Sequence, residues 1–264
     1  MLPNDTDLPI DRDPEIVHNA TDSGKQNLPA STDDYILNIF QSSLNQLVHI
    51  LIGIIVGVSM LFALRQTGRQ NSATLLFPHR LYKSTVMYFQ YQLLMGQAIL
   101  SLSPHNGWSS RLKLIHKRRA HWILQVLGSS LTLAGCHIQV VDKGVSWNTM
   151  SHTFHGMFGM FFLSMVFSVV SLANGLTSLY ANELSKIRVP PSLSKLTHIC
   201  FGIVGFSSAS IALCFGFDRI EFRSWASDSF TTAMIIFVAI FTTIIIINPF
   251  ITFYNKSRVL FKNN

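Results

Sequence analysis

Six long apolar runs, set apart by short polar punctuation, dominate the chain. They cover roughly residues 46–64, 83–103, 121–141, 153–176, 197–217 and 230–253. Each approaches the roughly 20 residues that a helix needs to cross about 30 Å of hydrocarbon. The punctuation between them is Pro78, the run from Ser103 to Gly107, Asp142 to Gly144, and Pro190-Pro191. A segment surrounded by lipid must satisfy its own backbone groups, so these runs are predicted to be helices. The expected fold is therefore an all-α membrane protein with six transmembrane helices. The first 35 residues break the pattern: they hold eight acids and two bases among Asp, Asn, Thr and Pro, with neither the basic start nor the apolar core of a signal peptide. The expected organisation is a disordered, uncleaved acidic tail over 1–35, a transmembrane domain over 46–254, and a short basic tail over 255–264.

Composition agrees with the pattern. Of 264 residues, 48% are hydrophobic and only 12% charged, with a mean hydropathy of +0.34. That is about half the charged share of a water-soluble domain. The 20 Lys and Arg outnumber the 13 Asp and Glu, giving a net charge of +7. Nucleic acid as a partner would need those bases on a water-exposed face, and the apolar runs leave none. The charge instead reports sidedness. With termini and even-numbered loops on one side, 13 bases lie there against 7 on the other, so both termini are predicted to be cytoplasmic. Glycosylation triplets at Asn4, Asn19 and Asn255 fall on the same side, and triplets this short arise often by chance. Cys136, Cys200 and Cys214 lie singly in apolar runs and suggest small core residues, with no disulfide or zinc pattern.

Ten histidines are many for a chain so poor in polar residues, and a polar side chain at membrane depth is costly without a use. His121 opens the third apolar run and His198 the fifth, both from the cytoplasmic side, so they share a depth. His155 lies near the outer start of the fourth. A neutral imidazole from each of two facing helices is what an iron porphyrin needs for axial ligation, and His121 with His198 meets that need. Gly156 and Gly159 follow His155, while Gly202 and Gly205 follow His198. Small residues at such spacing admit a flat macrocycle or a neighbouring helix equally well. Spacing alone leaves haem ligation and ordinary helix packing both open.

The stretch His121-Trp122-Ile123-Leu124-Gln125, the His155-Gly156 pair followed by Gly159, and Leu196-Thr197-His198 with Gly202 and Gly205 resemble the cytochrome b561 family. They are most similar to its short six-helix, domain-containing subgroup, over about residues 46–254. The resemblance implies a central four-helix bundle carrying two haem b groups. It also implies an activity of the ascorbate ferrireductase type. Cytoplasmic ascorbate would reduce the inner haem, and the electron would pass to an outer haem and then to a ferric chelate or monodehydroascorbate. By that resemblance His121 and His198 hold the inner haem, and His155 is half of the outer site. Lys117 and Arg118, just before the third helix, would bind ascorbate; read without the resemblance they are topology signals.

The outer site departs from the family pattern. A Trp-His-Pro motif is expected at the start of the second helix, and Tyr82-Lys83-Ser84 stands there, with Met87 in place. The chain thus offers a complete ligand pair for one haem and an incomplete one for the second. Lys83 as a neutral amine, His79 one turn earlier, or Met87 through sulfur would each complete it; otherwise the outer haem is absent or weakly held. His152, His49 and His137 read as interfacial or helix-packing residues, and His18, His105 and His116 as solvated. The partners expected are ascorbate, a ferric chelate or monodehydroascorbate and the lipid bilayer, with a homodimer left open. The competing class is a haem-depleted, non-catalytic or transporter-like protein of the same six-helix fold. A transporter should carry polar residues at the membrane midplane, whereas these histidines lie near helix ends. Phosphate loops, paired metal motifs and nucleophile elbows are lacking in the sequence.

Overall fold

The structure, a computed structural model, describes residues 32–68, 90–143, 164–179 and 191–262, and the regular elements among them are all helical. Helix α1 is Thr32–Gly68. A π-helix, Gln90–Met95, runs directly into α2, Gly96–Leu100. Then follow α3 (Leu114–Lys143), α4 (Ser164–Leu179), α5 (Pro191–Phe217), α6 (Ile220–Ala226) and α7 (Asp228–Lys262). The boundaries obey local chemistry. Arg65 lies in the last turn of α1, where its charge complements the helix dipole. Pro191 starts α5, where a missing N–H costs nothing. Pro249 sits inside α7, which continues through it; intramembrane helices tolerate such a break.

Two compact units are distinguished, residues 1–40 and 41–264. Of the first, the described part is helical, and the side chains of residues 35–40 are exposed. The second holds the core, whose fully buried centre includes Ile52 and Ile55 of α1, Phe217 of α5, Phe222 of α6, and Val238 and Phe241 of α7. Between helices in lipid such packing is held by van der Waals contact, since lipid tails are as apolar as the side chains themselves. Close approach is built in at Gly96, where a Cβ would stand 3.2 Å from Ile52 Cδ1 and 3.4 Å from Ile245 Cδ1. Helix α5 packs on α4 and α7, α3 on α4 and on the π-helix with α2, and α5 also reaches the π-helix.

Three helices among the described residues are long and apolar enough to cross a membrane: Tyr35–Arg65, Ser192–Phe217 and Asp228–Leu260. Large apolar side chains such as Ile50, Leu61, Ile236 and Ile247 stand exposed along α1 and α7, which suits lipid and not water. Helix α1 begins well before the apolar run expected at 46. The polar residues Gln41 and Asn45, which precede that run, hid this start: spaced by four from each other and from His49, they continue one helical face. The breaks expected at Ser103–Gly107, at Asp142–Gly144 and before Pro191 coincide with the ends of α2, α3 and the start of α5.

At the far end of α5, Phe222 wedges between aromatic rings, with centroids 5.1 Å from Phe62, 4.8 Å from Phe217 and 5.4 Å from Trp225. Arg223 bonds Asp218 and, at 2.8 Å, Asp228, joining the end of α5 to the start of α7. Those bonds, Asp218 first and Asp228 second, raise its pKa further above the ordinary guanidinium value. Ser227, at φ 71°, makes the left-handed turn between α6 and α7.

Candidate functional site

His121, the eighth residue of α3, turns toward His198, the eighth residue of α5. Their ring centroids are 6.2 Å apart and their planes cross at 84°. Behind each ring is a backbone carbonyl. His121 Nδ1 donates to Ala98 O at 2.8 Å, and His198 Nδ1 donates to Ser171 O at 2.9 Å. A carbonyl only accepts, so each Nδ1 carries the proton and each Nε2 keeps its lone pair. Among the described residues no hydrogen bond reaches either Nε2.

Local folding supplies both carbonyls. Helix α2 ends at Leu100, and the N–H of Leu102 bonds Ile99 O at 3.2 Å, which leaves Ala98 O free of the helix ladder. Ser101 Oγ takes it at 2.7 Å alongside His121. Ser171 lies in α4, and one turn later Gly175 makes room for the ring: a Cβ there would be 3.2 Å from His198 Cε1. A Cβ on Gly202 would meet Ser171 Oγ at an ordinary 3.7 Å.

A cavity of about 540 Å³ opens beside His121, within the roughly 300–1,000 Å³ range of cofactor sites. Apolar residues of α2, α5 and α7 form most of its wall, which also includes His121, Gln125, Gly202 and Gly205. Gln41, Asn45, Ser103, His105 and Asn248 add polar positions. His198 does not line this cavity, although its neighbours Ile199 and Ser171 do. The 6.2 Å centroid separation nevertheless matches the spacing of two imidazoles on one iron. Two metal–nitrogen bonds of about 2.0 Å, with about 1.1 Å from each nitrogen to its ring centre, place the centroids about 6 Å apart.

A second polar system lies beside the first. His49 Nε2 donates to Asn106 Oδ1 and His49 Nδ1 accepts from Gln97 Nε2, both at 2.8 Å. Trp108 Nε1 donates to Gln97 Oε1 at 2.9 Å, and Asn106 Nδ2 to Ser109 Oγ at 2.9 Å. This chain pins residues 101–113 to α1 and satisfies His49 on both nitrogens. Lys117 is buried, its ammonium on Ser103 O at 3.2 Å, while Arg118 is exposed. His105, expected to be solvated, is half-buried and lines the cavity.

The proposed outer residues His79, Lys83, Met87, His152 and His155 lie outside the described residues, as do the side chains of Cys136 and His137. Cys200 and Cys214 are unpaired thiols. No cluster of three or more His, Cys, Asp or Glu capable of holding a bare metal ion occurs among the described residues. Ala98, Ser101, Ser171 and Gly175 are the site residues missed from the sequence. Ala98 and Ser171 act through backbone atoms that carry no residue signature, and Gly175 differs from other helical glycines only by what faces it.

The sequence model of eukaryotic cytochrome b561 matches residues 82–223, and so includes both histidines. Among curated proteins, the chain is 26% identical over 163 residues to "Transmembrane reductase CYB561D2" of Mus musculus, covering 62% of this chain and 71% of that protein. The Homo sapiens protein of the same name is 26% identical over 166 residues, with the same coverage. No solved structure matches. The match over more than half the chain, together with long apolar helices and a paired-histidine site, places the chain among membrane proteins of electron transfer: it belongs to the eukaryotic cytochrome b561 family.

Proposed function

We propose that the protein carries electrons across a membrane from cytoplasmic ascorbate, through haem b held by His121 and His198, to a ferric chelate or monodehydroascorbate on the far side. The observation that carries this reading is the ring pair, 6.2 Å apart with both Nδ1 atoms committed to backbone carbonyls. When bound, haem b supplies reversible uptake of a single electron. The chain supplies the rest. His121 and His198 present Nε2, the carbonyls of Ala98 and Ser171 fix their orientation, and the apolar wall keeps water out. At the start of α3, exposed Arg118 would contribute positive charge toward an anionic donor, with buried Lys117 adding charge while it anchors Ser103.

The contacts among the π-helix with α2, α3, α4 and α5 form a closed ring, which supports a central four-helix bundle with α7 packed on α5 and α2. Six spans and cytoplasmic termini rest on the apolar runs and the base count. At the outer face His155 would pair with His79, Lys83 or Met87. Lys83 in place of the family's histidine favours a second version in which only the inner haem is firmly held.

An ascorbate-reduced visible spectrum of the purified full chain, with haem counted per chain, tests the proposal. A b-type spectrum is expected. Two haems, with the second lost on His155→Ala, would establish the complete relay, and one haem the inner-site version. Absence of b-type absorbance would overturn both.

A further inference from the structure

The carbonyl that orients His121 is shared. Ala98 O accepts His121 Nδ1–H at 2.8 Å and Ser101 Oγ–H at 2.7 Å. Ser101 is fully buried, so water does not compete for its hydroxyl. The neighbouring residue, Gln97, is held by His49 and Trp108, which fixes this end of α2 beneath the imidazole. Two donors on one oxygen each draw on the same electron density, so each bond is weaker than it would be alone. The His198 side is different: among the described residues no side-chain donor shares Ser171 O.

We propose that Ser101 is a positioning residue that sets the electron affinity of the site by sharing the Ala98 carbonyl with His121. This rests on His121 being an axial ligand of haem b. Removing the hydroxyl returns the carbonyl to His121 alone and strengthens the Nδ1–H bond. The ring becomes a stronger donor, which favours oxidised iron and lowers the reduction potential.

The test is a redox titration of the visible spectrum of the full chain, following the component that His121→Ala removes. For Ser101→Ala the potential should move negative. At the wild-type midpoint this appears as a reduced-to-oxidised ratio about two- to tenfold lower, the scale of one hydrogen bond. Ser101→Thr, which keeps the hydroxyl, should titrate as wild type. Ser101→Cys, a weaker donor of similar size, should move the same way by less, and it carries the test if the alanine variant does not accumulate. A potential that stays put or rises in the alanine or cysteine variant overturns the proposal. The underlying assignment fails separately: His121→Ala retaining every haem would defeat it, whereas loss of haem in His121→Ala with an unmoved Ser101→Ala potential defeats only the role of Ser101.

Discussion

About 28 Å of α5 separates His198 from Phe217, and polar groups are handled differently at its two ends. Around His198 and His121 the half-buried imidazoles, with His49 and buried Lys117 nearby, each bond a carbonyl or amide on a neighbouring element, while Arg118 and Arg119 stay exposed. Around Phe217 the charged groups are exposed, paired along the connection that carries them, and an aromatic wedge does the packing beneath. Satisfied buried polar groups specify a geometry, because leaving one partner unmatched is expensive. Exposed ion pairs contribute little, and the far end depends on its rings.

The largest effect that could break this contrast is His121→Ala or His198→Ala. Either should abolish the inner haem's absorbance, measured by haem content per chain, with the helical fold retained by circular dichroism. Phe222→Ala should destabilise the protein by about 3–5 kcal/mol through loss of a buried ring, read as a lower thermal midpoint. The line shape of the haem spectrum in the surviving folded fraction should not change; a change would mean that the two ends are coupled. Gly175→Ala sharpens the comparison from the other side. Its Cβ would press His198 Cε1 from 3.2 Å at a cost of about 1–3 kcal/mol. Lower haem occupancy or an altered low-spin spectrum is expected, with a smaller change in melting than for Phe222→Ala.

Smaller still, Arg118→Gln should raise the ascorbate concentration needed for half-maximal haem reduction by a few-fold, the scale of one screened charge, about 1 kcal/mol. Haem content should be unaffected. Unchanged reduction kinetics would leave Arg118 a topology signal. Arg223→Gln should have the least effect, a stability change too small to alter ascorbate reduction, read by thermal melting.

The proximity of His121 and His198 was legible from the sequence because both are polar residues opening apolar runs from the same predicted side. Their partners were not. A backbone carbonyl becomes available through where a helix ends and which turn faces it, as at Ala98, and side-chain identity does not encode this. The early start of α1 was hidden because Gln41 and Asn45 fall before the apolar run, although their spacing of four, continued by His49, makes one face. Ser103 and Asn106 looked like simple punctuation after the second run. They anchor Lys117 and His49, partners 14 and 57 residues away, and separations of that size leave no local pattern.

The carbonyls behind the two imidazoles also bear on how protons move. An amide oxygen accepts a hydrogen bond but is far too weak a base to take the proton, so His121 and His198 would each keep Nδ1–H through a full redox cycle. Under the proposed function, electron passage through the pair would be uncoupled from protonation of its ligands. A donor that releases a proton as it is oxidised would then have to shed it elsewhere than on these imidazoles.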